Sequence, residues 1–224
     1  MAAILCSLRY FRYFCNMMAA AGSQYGSLPR LNDMNTNIDN DISTACDVMR
    51  RGGVILYPTD TVWGIGCDAR NPKAVARVFA IKGRADGKSM IVLVNSIEML
   101  QGIVEEIPDK ALEIIANTNI PTTVIYPNAK GLAKGLVAQD KSVGARITNE
   151  AFSSSLCGQF GGPIVSTSAN ISGEPTPKVF ADISDEIIKA VDFVVSYRRD
   201  DFTEASASRI VKLNPDNTLT TIRE

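Results

Sequence analysis

Short apolar runs alternate along this chain with segments whose apolar residues recur at helical spacing. Ile42, Ala45, Cys46 and Met49 fall on one face of a helix predicted over 39–51, and Gly52 with Gly53 stops it. Residues 54–57 then read as a buried strand. Asn71 and Pro72 suit the start of a second helix, because Asn caps a first turn and Pro tolerates one. Its apolar face is Val75, Val78 and Phe79, extended by the stem of Lys82. Residues 90–94 form a continuous apolar strand. Two short helices are predicted at 97–102 and 108–117, then a β-branched strand at Thr122–Tyr126. A polar, Gly-containing loop over 127–141 leads to a strand at Val143–Ile147. A helix over 149–160 stops at Gly161 and Gly162, and 163–167 is the next strand. Residues 183–190 read as a helix and 193–196 as a strand. Strands at Arg209–Leu213 and 218–222 close the pattern as a hairpin around Pro215, Asp216 and Asn217.

Strands alternating with helices predict an α/β fold, with helices packed around a mostly buried, mixed β-sheet. No internal repeat or low-complexity linker interrupts it, so one domain from residue 37 to 224 is the simplest division. Residues 1–33 differ from the rest. They lack periodicity, and Arg9 and Arg12 lie among Tyr10, Phe11, Tyr13 and Phe14, which does not match a signal peptide's apolar region. A transit peptide or membrane-surface helix would fit. The simpler expectation is a disordered extension or an overlong gene start, with Met34 opening the functional protein.

Composition narrows the chemistry. The 224 residues are 46% hydrophobic, enough for one sizeable core. A net charge of −1 argues against a globally basic nucleic-acid binder but leaves room for a local basic patch. Histidine is absent, which removes the commonest general base and metal ligand. Cys6, Cys15, Cys46, Cys67 and Cys157 are scattered, odd in number and without CxxC spacing. That argues against a zinc site or disulfide framework and fits a reducing cytoplasm. No apolar run is long enough to span a membrane.

Two glycine motifs are decoys. Gly64-Ile65-Gly66-Cys67-Asp68-Ala69 fits a loose dinucleotide-binding pattern, but its glycines do not open a helix directly after a strand, and turn glycines are the better reading. Gly83-Arg84-Ala85-Asp86-Gly87-Lys88-Ser89 resembles a phosphate-binding P-loop. It is one residue short between its glycines, and it precedes a strand instead of joining a strand to a helix.

What remains is a set of cations, hydroxyls and one carboxylate. Lys73, Arg77, Lys82, Arg84 and Lys88 fall in one segment opposed only by Asp86. They make either a solvated helix face or, where Lys82 and Arg84 flank Gly83, a grip for a triphosphate. Ser166-Thr167-Ser168-Ala169-Asn170 follows a strand and either binds a nucleotide or forms a hydroxyl-stabilised turn. Arg146, near a strand end, either forms a surface ion pair or clamps a carboxylate. Asp60 lies between Thr59 and Thr61 after Pro58. It can cap a turn, ligate Mg²⁺ or accept from a ligand amine.

Taken together, the chain resembles the YrdC-like threonylcarbamoyl-adenylate synthases in their short, single-domain form. The resemblance lies in Tyr57-Pro58-Thr59-Asp60-Thr61-Val62-Trp63-Gly64-Ile65-Gly66, Lys82-Gly83-Arg84, Ala145-Arg146-Ile147-Thr148 and Ser166-Thr167-Ser168-Ala169-Asn170, in that order and spacing, and covers 42–213. It implies a twisted mixed sheet around a concave basic pocket. It implies a nucleotidyltransferase reaction that joins L-threonine, bicarbonate or carbon dioxide, and ATP, with Mg²⁺ carried on ATP and no metal held by the protein. It further implies that a downstream threonylcarbamoyl-transferase complex passes the product to tRNA, with tRNA or double-stranded RNA as a partner. By position, Thr59, Arg146 and Ser208 would contact threonine. Lys82, Arg84, Ser166, Ser168 and Asn170 would contact ATP, with Lys82 and Arg84 as the catalytic pair and Asp60 and Thr61 nearby. Where many relatives carry Trp-Pro-Gly-Pro, this chain has Asn119-Ile120-Pro121-Thr122. Asp60 and Trp63 replace the common Glu and Tyr or Phe. Two other functions use the same pocket: a noncatalytic RNA-binding module, and a carbamoyl-transfer enzyme with another acceptor.

Overall fold

The computed structural model describes residues 31–83, 90–214 and 218–224, with residues 31–36 described by backbone alone. Residue contacts divide the chain into Met1–Asn35 and Thr36–Glu224, and the second unit carries the sheet. In chain order the elements are α1 (Leu31–Arg50), β1 (Ile55–Tyr57), β2 (Gly64–Gly66), α2 (Pro72–Ile81), β3 (Ile91–Val94), α3 (Ile97–Gln101), α4 (Asp109–Asn117), β4 (Thr122–Tyr126), β5 (Val143–Ile147), α5 (Ala151–Phe160), β6 (Ile164–Ser168), α6 (Asp185–Ala190), β7 (Phe193–Val194), β8 (Arg209–Leu213) and β9 (Leu219–Arg223).

These strands form one sheet in the order β7-β1-β2-β6-β3-β5-β4-β8-β9. The β1/β7, β3/β5 and β4/β8 pairs are parallel and the other neighbours antiparallel. The mixed α/β architecture expected from the sequence is therefore the one that forms. Its central strands are buried, whereas β9 at the edge is exposed, and α1 joins the core through the predicted face of Ile42, Ala45, Cys46 and Met49. Local chemistry sets the helix ends. The Asn71 side chain accepts from the backbone N–H groups of Lys73 and Ala74, at 3.0 and 3.2 Å, and Pro72 opens α2. Both carboxylate oxygens of Glu150 accept from the first turn of α5, which ends at Gly161 with φ of 71°.

Two elements depart from the sequence pattern. Helix α1 begins at Leu31, ahead of the predicted 39, because its opening residues lack the apolar spacing that marks a helix. The Gly64–Gly66 segment is a strand, although glycine is a poor strand former and the pair read as turn residues. The reason is close packing. A Cβ at Gly66 would lie 2.6 Å from the Tyr57 ring and 2.8 Å from the Val165 carbonyl oxygen. Only a residue without a side chain lets β2 slot between β1 and β6.

Candidate active site

Strand β1 ends at Tyr57, and Pro58 brings the chain into a tight turn. The Thr59 hydroxyl donates to Val62 O at 2.8 Å and accepts from the Thr61 N–H at 3.0 Å, so Thr59 closes the turn on itself. The next two residues meet an arginine from the other half of the sheet. Arg146, on β5, donates from Nη2 to Asp60 Oδ1 at 2.8 Å and to Thr61 Oγ1 at 3.2 Å. Its Nε is buried and has no partner. Burial pushes the Asp60 carboxyl above its ordinary value, although the Arg146 charge pulls it down.

Arg146 borders a cavity of about 200 Å³, together with Thr61, Ser166, Ser168, Thr176, Ser208 and Arg223. Strand β6 supplies Ser166 and Ser168, and the residues before β8 supply Ser208. Ser208 is 2% exposed, and its hydroxyl lies 2.9 Å from Thr123 Oγ1. Arg223, on β9, donates from Nε to Ser208 O at 2.9 Å and from Nη2 to Ser208 Oγ at 3.2 Å. Burial and the charge of Arg146 both lower the pKa of Arg223 from its usual value. Two guanidiniums beside one cavity make a site for anions.

The expected site residues take different places around this cavity. Arg146, Ser166, Ser168, Ser208 and Thr61 line it. Thr59 is 1% exposed, with its hydroxyl bonded to Val62 O and 3.0 Å from Thr61 Oγ1, and Asp60 accepts from Arg146. Lys82 caps the end of α2 and is 2% exposed. Its ammonium donates to Ser168 O at 2.5 Å and Asn170 O at 2.7 Å, while its own carbonyl accepts from the Ser172 N–H. Lys82 thus grips the loop that carries Ser168 and Asn170. The Asn170 amide donates to Ile171 O and Glu174 O, and its buried Oδ1 has no partner. Arg84 and the neighbouring Lys88 lie outside the described residues.

Arg223 and Thr176 are polar lining residues that the sequence did not point to. The register of β8 with β9 shifts between Ile210 and Val211, so Arg223 pairs with Ile210 and simple alternation along β9 does not place it. The Asn119–Thr122 segment borders a second cavity of about 180 Å³ with Asp60, Ile147 and Glu150. Among the described residues, no three Cys, Asp or Glu side chains come together as metal ligands. No helix among them is long and apolar enough to cross a membrane.

The Sua5/YciO/YrdC family model, described as telomere recombination, matches residues 47–224. A threonylcarbamoyl-AMP synthase of Pseudoalteromonas translucida is 36% identical over 157 residues, which is 69% of this chain and 84% of that protein. The enzyme of the same name from Pseudomonas aeruginosa is 39% identical over 135 residues, covering 60% and 72% of the two chains. Among solved structures, E. coli YciO superposes with a TM-score of 0.71 at 25% identity, covering 82% of this chain and 88% of its own. P. abyssi Sua5 in complex with L-threonine superposes with a TM-score of 0.69 at 25% identity, covering 77% of this chain. The present chain spans 50% of that Sua5 chain. By the extent of the family match and the identity to these relatives, the chain belongs to the Sua5/YciO/YrdC family.

Proposed function

We propose that this protein is an L-threonylcarbamoyl-adenylate synthase, which condenses L-threonine, bicarbonate or carbon dioxide, and ATP, and releases pyrophosphate. One observation carries the reading: Arg146 and Arg223 share a hydroxyl-lined cavity, in a chain whose relatives are named for this product. The threonine carboxylate, the carbamate and the triphosphate are all anions, and paired guanidiniums beside serine and threonine hydroxyls suit them.

The threonine carboxylate is assigned to Arg146, which borders the cavity while Asp60 and Thr61 hold its Nη2. Thr61 and Ser208 border the same space, and Thr59 shapes the turn behind it. Ser166, Ser168 and Asn170 are assigned to the nucleotide, and Arg223 to its phosphates. Lys82 acts on the nucleotide side through the loop it grips, and Arg84 keeps the triphosphate role implied by the family resemblance.

The threonine amine attacks the carbon of carbon dioxide and loses a proton, giving a carbamate. A carbamate oxygen then attacks the α-phosphorus of ATP. The bond from that phosphorus to the bridging oxygen breaks, and pyrophosphate leaves. These steps ask for positioning and charge neutralisation more than for an acid–base residue, which suits a chain without histidine. Mg²⁺ would enter on the ATP phosphates. No step is assigned to it. The product is a mixed anhydride, assigned for transfer to adenosine in tRNA by partner proteins.

The test is pyrophosphate release with ATP, Mg²⁺, bicarbonate and single amino acids. Release that requires threonine supports the assignment. No release with any amino acid, together with tight RNA binding that weakens steeply with salt, would replace it with an RNA-binding module.

A further inference from the structure

Arg198 holds its backbone at φ of 64°, in the left-handed region that glycine favours and arginine rarely adopts. Its surroundings give that conformation a purpose. Asp41, on α1 and 7% exposed, accepts from the N–H groups of Ser196 and Tyr197, each at 2.9 Å, and from the Ser196 hydroxyl at 2.7 Å. The Tyr197 ring stacks on Phe152 with centroids 5.4 Å apart. The chain is therefore fixed just before Arg198. From this point the Arg198 guanidinium reaches the turn after β1, where Nη1 donates to Thr59 O at 3.1 Å. Its Nε donates to Asp201 Oδ2 at 2.9 Å, and Asp201 Oδ1 accepts from the Thr203 N–H at 3.0 Å.

Thr59 joins this contact to the cavity. Its hydroxyl is bonded to Val62 O and to the Thr61 N–H. Thr61 and Asp60 are in turn the two acceptors of Arg146 Nη2. A continuous hydrogen-bonded path therefore runs from Arg198 through Thr59 and Thr61 to Arg146. We propose that Arg198 is a positioning residue for amino-acid binding: it fixes the Thr59–Val62 turn and through it the orientation of the Arg146 guanidinium. The inference rests on the assignment of threonine to the Arg146 cavity. Glycine would occupy φ of 64° without strain, so it is the arginine side chain that this position uses. A backbone conformation of this kind persists where its surroundings over-determine it, and Asp41 on one side with Thr59 and Asp201 on the other do so here.

Arg198→Gly separates the side chain from the backbone. Glycine is at ease at this φ, so resistance to urea should hold or rise. Losing the charge-assisted bond to Thr59 should raise the Kd for threonine about tenfold, while the Kd for ATP stays within about twofold. Arg198→Lys keeps a cationic donor and should recover part of the loss. Asp201→Asn loosens the same guanidinium without touching the backbone of Arg198 and should raise the threonine Kd in the same direction. If Arg198→Gly does not fold, Asp201→Asn decides alone. An unchanged threonine Kd, or an equal loss of threonine and ATP binding, overturns the inference and leaves the synthase assignment standing. Failure of the unmodified protein to bind threonine overturns that assignment instead.

Discussion

Arg146 Nη2 lies 2.8 Å from Asp60 Oδ1, and the two side chains are 2% and 14% exposed. One edge of the guanidinium is thereby fixed by Asp60 and Thr61, while Nε stays buried without a partner. A guanidinium pinned by Asp60 and Thr61 at the border of the cavity is held in place to meet a carboxylate.

Arg146→Lys should therefore lower kcat/KM for threonine by about 100-fold, because an ammonium keeps the charge but loses the planar fork. Alanine is the poorer test, since stripping one partner from a buried ion pair costs about 3–5 kcal/mol of stability. The measurement is initial pyrophosphate release against threonine concentration. A wild-type value in the lysine variant removes Arg146 from the carboxylate role.

Arg223→Met keeps the apolar stem and loses the bonds to Ser208 O and Oγ. If Arg223 meets the phosphates, the KM for ATP should rise by about tenfold. A rise confined to threonine would reassign Arg223 to the amino-acid side of the cavity.

Lys82→Met leaves the carbonyls of Ser168 and Asn170 without their ammonium donor. Urea unfolding should report a loss of roughly 1–3 kcal/mol, from charge-assisted bonds that are no longer made. Activity should fall further than stability alone explains, since the same loop carries Ser168 and Asn170. Full activity in the folded variant would confine Lys82 to a role in folding.

Gly66→Ala should destabilise the sheet by about 1–3 kcal/mol through overpacking. Its Cβ would meet the Tyr57 ring at 2.6 Å and a backbone oxygen of Val165 at 2.8 Å, and backbone cannot rotate away. A urea midpoint equal to that of the parent protein would mean that β1 and β6 separate more easily than their pairing suggests.

Asp140 gives the pH dependence. Its carboxyl accepts from the Ser142 hydroxyl and N–H and from Lys212, and its pKa falls from 3.8 to about 2. A folded-state value below the unfolded one gives stability that is present above pH 3.8 and lost as pH falls towards 2. Asp140 is largely solvated, so the effect is modest. Asp140→Asn should flatten the fall of unfolding free energy across that window, measured by urea titration at several pH values. An unchanged slope would place the acid sensitivity elsewhere.

The sequence made α2 legible because its signals are local. Asn71 caps residues two and three positions on, and Val75, Val78 and Phe79 repeat at the helical period. The buried strand Ile91–Val94 was legible for the same reason, as an apolar run of strand length. Strand β2 was not. What fits Gly66 to a strand is the Tyr57 ring and the Val165 carbonyl, and neither is a neighbour in a propensity window.

By itself, then, the sequence determined the α/β class, most element positions, and the set of hydroxyls and cations that family resemblance gathers into one site. Tertiary structure decided what each of them faces. It set Thr61 at the cavity, bonded the Thr59 hydroxyl to Val62 O, set Lys82 on two loop carbonyls, and brought Arg223 from the last strand to Ser208. The reason is one of range. Helical and strand periods act over a few residues, whereas Arg146 meets Thr61 across 85 positions and Thr123 meets Ser208 across 85. Contacts of that separation exist only once the sheet order has been set.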